Sequence, residues 1–164
     1  NKISEIAKRL SDIGLPMSYH EHMGTIIQSE QDIYRLLDNT NDKTSLLFDT
    51  GHIFFAKGDY ESILKKYISR VNHVHCKDIR KEILNKSLLN DLSFRDSFLE
   101  GVFTVPGDGY INYKPLFETL YDNKYSKWLI VEAEQDPKKA NPLKYAKIGY
   151  KYLNKILTEV GYKI

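Results

Sequence analysis

The chain has 164 residues, enough for a real hydrophobic core, with 41% hydrophobic and 28% charged residues. Its formal charge of +2, with Lys and Arg scattered along the chain, gives no reason to expect a nucleic-acid backbone or an anionic membrane as partner. No apolar run approaches the ~20 residues of a membrane span, and the single cysteine, Cys76, rules out an internal disulfide and suits a reducing cytoplasm.

The chain opens without Met on Lys2–Leu10, where Ile3, Ile6, Ala7 and Leu10 fall on one helical stripe. A helix with nothing before it to cover that stripe is expected in a fragment. Four units of one kind then follow. The first pairs an apolar-polar stretch, Pro16–His22, with a helix near Gln31–Asn39. The second pairs Ser45–Asp49 with a helix near Tyr60–Ile68. The third has Val71–Lys77, a long polar insertion from Arg80 to Gly109, and a helix near Lys114–Asn123. The fourth has Trp128–Glu134 and a helix near Pro142–Ile156. Strands alternating with helices predict a parallel sheet with right-handed crossovers. Helix starts are marked by Ser29 with Glu30 and Asp32, by Gly58-Asp59, by Asn112, and by Asn141-Pro142. Within the insertion, Lys81–Leu89 reads as a helix and Phe94–Leu99 as a short turn of one. The Pro106-Gly107 and Asp108-Gly109 pairs then demand tight turns. So long a connection is expected to be an active-site lid or binding loop, with a plain solvent-exposed excursion as the alternative. The twelve tyrosines read as packing between helix and sheet.

Side chains alternate along a strand with period two. His20 and His22 therefore share a face, as do Leu47 and Asp49, then His73, His75 and Lys77, then Ile130, Glu132 and Glu134. The opposite faces carry Val74, Cys76, Leu129, Val131 and Ala133, which suit a helix layer. Each strand thus ends in ionisable groups facing inward, and a core accepts such groups only when they are partnered. Carboxylates and imidazoles without thiolates suit Mn²⁺, Co²⁺, Zn²⁺ or Fe²⁺ better than Ca²⁺. Blander readings stand beside this one. His73, deeper in its strand, is read as a hydrogen-bonded core residue. Asp49 alone would serve as a cap for the turn Thr50-Gly51-His52. Glu134 and Lys77 would serve as a structural ion pair. Glu21, on the outer face, is expected to be solvated or paired with a helix cation.

At Tyr19–Thr25, Phe48–His52, His73–Asp78, Phe103–Gly109 and Val131–Pro137 the chain resembles the inosose dehydratases of the xylose-isomerase-like barrel superfamily. His73-x-His75-x-Lys77-Asp78 and Asp49-Thr50-Gly51-His52 are widely shared motifs. Thr104–Gly109 and Glu132–Pro137 are more specific to the dehydratases. The resemblance implies a (β/α)8 TIM barrel of which residues 1–164 supply about the last four βα units, as the C-terminal half of a single domain. It implies a metal held by Asp49, His75 and Glu132, with His20 at the first position, where most of the superfamily has Glu. Dehydratases carry a second His at position 21, where this chain has Glu21. Alternation favours His20 as ligand, because Glu21 is expected on the wrong face.

The implied reaction is loss of water from 2-keto-myo-inositol (scyllo-inosose) in inositol catabolism. His22, His52, Lys77 and Glu134 are the candidates for proton transfer, with base and acid unassigned among them. Mn²⁺ or Co²⁺ is the implied metal, Zn²⁺ a further candidate, and glutathione a cofactor implied by the resemblance only. A sugar-ketose isomerase or epimerase of the same superfamily, and a non-catalytic polyol-binding barrel, are the rival readings. Half a barrel leaves open strand edges, so self-association as a homo-oligomer, or a longer parent chain, is expected.

Overall fold

The computed structural model describes all residues, Asn1–Ile164. Backbone contacts divide them into two compact units, Asn1–Val74 with Lys127–Leu129, and His75–Ser126 with Ile130–Ile164.

In the first unit, helix α1 (Lys2–Asp12) is capped by the Asn1 side chain, which accepts from the Ile3 N–H. Of its expected stripe only Ala7 is fully buried, and Ile6 is exposed. Strand β1 (Ser18–His20) runs parallel to β2 (Ser45–Asp49), with His20 opposite Leu47. Between them lies α2 (Glu30–Asp38), where Ser29 and Asp32 exchange side-chain and backbone hydrogen bonds in a capping box. After β2 the chain turns at once into α3 (Thr50–Phe55), then α4 (Tyr60–Tyr67), capped by Asp59. A 3-10 turn, Ile68–Arg70, leads into β3 (Val71–Cys76), which lies next to β2. Arg70 holds this turn in place by donating to the Thr44 carbonyl from both Nε and Nη2. Ile33, Leu37, Leu46, Phe48, Ile53, Ile63 and Leu64 form the core, drawn from strand positions of period two and helix positions of period three to four.

The chain passes along β3 into the second unit. Its neighbour β6 (Trp128–Val131) likewise has Trp128–Leu129 in the first unit and Ile130–Val131 in the second, and just beyond it Glu132 N–H donates to the Cys76 carbonyl. Between them come β4 (Asp78–Ile79), α5 (Lys81–Leu89), α6 (Phe94–Leu99), β5 (Phe103–Thr104) and α7 (Tyr113–Asp122). Last is α8 (Pro142–Val160), which begins on the Asn141 cap and ends where Gly161 takes φ 117°. β4 and β5 pair antiparallel, with Asp78 opposite Thr104 and Ile79 opposite Phe103. Gly149 lets α8 lie close against the sheet, since a Cβ there would sit 2.5 Å from Val131 Cγ1.

Three expectations are corrected. The first strand is three residues, not Pro16–His22, and the last stops at Val131, so Glu132 and Glu134 lie past its end. Period-two alternation therefore does not govern Glu21, Glu132 or Glu134. The helix α3 was not anticipated, because six residues with one Gly and two Phe carry no amphipathic period. The insertion is also more regular than expected. Besides its two helices it forms the β4–β5 ribbon, whose pairing brings together residues 26 and 24 apart in sequence.

Gly109 is the tightest point of that ribbon, as a Cβ would fall 2.3 Å from Asp78 Oδ1 and 2.8 Å from the Ile79 carbonyl. Gly109→Ala should lower stability by about 1–3 kcal/mol in urea unfolding. An unchanged midpoint would mean that this turn yields freely.

Candidate functional site

In the first unit the centre of the site is Asp49, the last residue of β2 and the N-cap of α3, fully buried. Its Oδ1 accepts from the His52 backbone N–H at 3.0 Å. Its Oδ2 lies 3.4 Å from His20 Nε2. The capping reading and the metal-ligand reading thus use different oxygens of one carboxylate. Asp49's own N–H donates to Glu21 Oε1 at 2.8 Å. Glu21 is completely buried, which overturns the expectation that it faces solvent. The reason is local: β1 ends at His20, and the chain leaves the strand before alternation can carry Glu21 outward.

His22 lies in the turn that follows. Its N–H donates to the Ile27 carbonyl, and Thr25 Oγ1 donates to the His22 carbonyl. Its ring Nδ1 is 2.8 Å from the Met23 carbonyl. A carbonyl only accepts, so Nδ1 carries the proton and Nε2 keeps its lone pair in the neutral ring. The ring centroids of His22 and His52 are 3.7 Å apart, and that of His20 is 5.3 Å from His22 and 5.6 Å from His52. Three imidazoles and two carboxylates are therefore gathered in this unit. His73 is part-buried in the first half of β3.

The second unit holds the other candidates. His75 Nδ1 lies 2.7 Å from Glu132 Oε2. Lys77 is completely buried, with Nζ 3.2 Å from Glu132 Oε2 and 3.1 Å from Glu134 Oε2. A buried ammonium is tolerated only with such compensation, and here two carboxylates provide it. The same Nζ sits 5.1 Å from the centre of the Phe103 ring on β5. The ribbon thus packs directly on the lysine.

Sequence reasoning passed over the two residues that hold the ribbon there. Asp78, fully buried, accepts from the Ile79 and Ile111 N–H groups at 2.8 Å each and from Gly107 N–H at 3.2 Å. Burial pushes its carboxyl above the usual range, and the backbone donors oppose that shift. Arg80 donates to the Gly101 and Phe103 carbonyls, to Thr104 Oγ1 and to Asp108 Oδ2. The adjacency of Asp78 to Lys77 in the motif was the available signal for the first. Nothing local marked Arg80. Asp108, read as a turn residue, also accepts from Thr104 Oγ1 at 2.6 Å, so it ties the turn to both Arg80 and β5.

A family model described as xylose isomerase-like TIM barrel matches residues 1–156. A protein named inosose dehydratase from Lactiplantibacillus plantarum is 47% identical over 160 residues, covering 97% of this chain and 52% of the relative. The rhizopine catabolism protein MocC of Rhizobium meliloti is 41% identical over 163 residues, covering 99% of this chain and 50% of the relative. The chain thus spans about half the length of the curated relatives it matches. Among solved structures, the IOLI protein with a binding zinc atom superposes with a TM-score of 0.72 at 15% identity, over 98% of this chain and 55% of that one. At that identity the likeness shows the fold.

Because Arg80 spreads its donors over four oxygens, a lysine cannot replace it. Arg80→Lys should cost about 1–3 kcal/mol in denaturant unfolding. A loss within experimental error would show that the ribbon stands without this brace.

Proposed function

The chain belongs to the xylose isomerase-like TIM barrel family, and we propose that the protein of which it forms part dehydrates a polyhydroxylated cyclic ketone. The proposed substrate is 2-keto-myo-inositol (scyllo-inosose), and the product a trihydroxycyclohexane-1,2-dione. What carries this reading is the 47% identity to a protein named inosose dehydratase across almost all of the chain. In this reading residues 1–164 are the C-terminal half of a single barrel domain, and the other half supplies the rest of the pocket wall.

The proposed metal ligands are His20, Asp49, His75 and Glu132. Two within-unit pairs support the fit, since each sets an imidazole nitrogen beside a carboxylate oxygen, His20 with Asp49 at 3.4 Å and His75 with Glu132 at 2.7 Å. That is a borderline donor set, suited to Mn²⁺, Co²⁺ or Zn²⁺. When bound, such a cation polarises a carbonyl and so acidifies the neighbouring C–H.

The remaining steps belong to side chains of this chain. His22 holds its Nδ1 proton on the Met23 carbonyl, which leaves Nε2 as the proton acceptor. Lys77, ion-paired with Glu132 and Glu134, is the donor for a developing oxyanion or departing hydroxyl. Glu134 orients that ammonium, and His52 packs against the His22 ring to fix its plane. A cytoplasmic location belongs to the same reading, supported by the single, buried Cys76. No helix is long and apolar enough to cross a membrane.

Incubating the full-length protein with inosose and Mn²⁺, Co²⁺ or Zn²⁺ should release the dione, and chelation should stop it. Epimerised or isomerised ketose with no dione would favour the isomerase reading. Lys77→Gln should lower kcat by about 10²–10⁴-fold. A variant that keeps wild-type kcat would remove Lys77 from the chemistry.

A further inference from the structure

We infer that Glu21 is a positioning residue that fixes Asp49 for cation binding; the inference rests on the reading of Asp49 as a metal ligand. β1 and β2 run in register from Ser18 opposite Ser45 to His20 opposite Leu47, and then β1 stops. Asp49 lies two residues further along β2, where the neighbouring strand has run out. Its backbone N–H would need a new acceptor in a place sealed from water. Glu21 Oε1 is that acceptor, at 2.8 Å, with both residues fully buried. One side chain thus continues the strand pairing by one position.

The consequence falls on the Asp49 carboxylate. Its backbone is held from behind by Glu21, and its Oδ1 is held from the front by the His52 N–H at the start of α3. With the backbone N and one oxygen both engaged, χ1 has little freedom. Oδ2 is left directed at His20 Nε2, 3.4 Å away. A ligand carboxylate fixed in this way loses little entropy on taking up a cation. Groups that orient metal ligands typically contribute about 10–100-fold to affinity. The requirement is for an acceptor of this length at position 21, whether carboxylate or amide.

The test uses the full-length protein stripped of metal and titrated with Mn²⁺ alone, free Mn²⁺ being read from its electron paramagnetic resonance signal. Glu21→Ala should raise the Mn²⁺ Kd by about 10-fold or more. Glu21→Gln, whose amide oxygen can still accept from Asp49, should stay within a few-fold of wild type, and its metal-free Tm controls for folding. Glu21→Ala with wild-type affinity overturns the inference. So does Glu21→Gln losing as much affinity as Glu21→Ala, which would make the residue a ligand rather than a support. Wild-type protein that binds Mn²⁺ but forms no dione with Mn²⁺, Co²⁺ or Zn²⁺ overturns the functional reading alone. Wild-type protein that takes up none of the three cations overturns both.

Discussion

A carboxylate buried at the point where a strand becomes a helix must satisfy several demands at once, and Asp49 is such a residue. The first turn of α3 presents N–H groups without partners, so the helix needs a capping oxygen there. The end of β2 presents a backbone donor on the side where β1 has already stopped, so the strand needs an acceptor from elsewhere there. Asp49 meets the first need and Glu21 the second, and Asp49's remaining oxygen is set toward an imidazole. Removing any one of these contacts would take a partner from a buried polar group, which costs about 0.5–1.5 kcal/mol by itself. The local geometry is therefore held by the same bonds that aim Oδ2 at the His20 ring.

The second unit solves a comparable problem with the opposite charge. Lys77 is as buried as Asp49, and its ammonium is tolerated because Glu132 and Glu134 close on it from beyond the end of β6. Those glutamates are more exposed, at 33% and 27%, so the cluster is dry on one side and open on the other. Asp78 and Arg80 do a different task. They organise the Gly101–Ile111 segment, Asp78 accepting from the Gly107 and Ile111 N–H groups and Arg80 donating to the Gly101 and Phe103 carbonyls, and Phe103 is thereby pressed over the lysine. The insertion is thus a braced ribbon rather than a loose flap.

The four-unit rhythm of strand and helix was plain in the sequence. So were the caps at Ser29, Asp59, Asn112 and Asn141, the helices of the insertion, and the set of imidazoles and carboxylates near strand ends. These are local signals, carried by period two, period three to four, and residues that bond their own neighbouring backbone. Tertiary structure decided where each strand stops, because a strand lasts only as long as its neighbour offers pairing. That is why Glu21 turned out buried, why Glu132 and Glu134 stand beyond β6, and why β4 and β5 pair at all. It also gave Arg80 its four acceptors, from residues 101 to 108, which no period in the sequence connects to position 80. The sequence by itself determined which chemical groups this chain possesses and near which strand ends they fall. The fold alone decided which of them are dry and which oxygen each donor meets, since burial and hydrogen bonding between distant residues depend on contacts that local patterning does not encode.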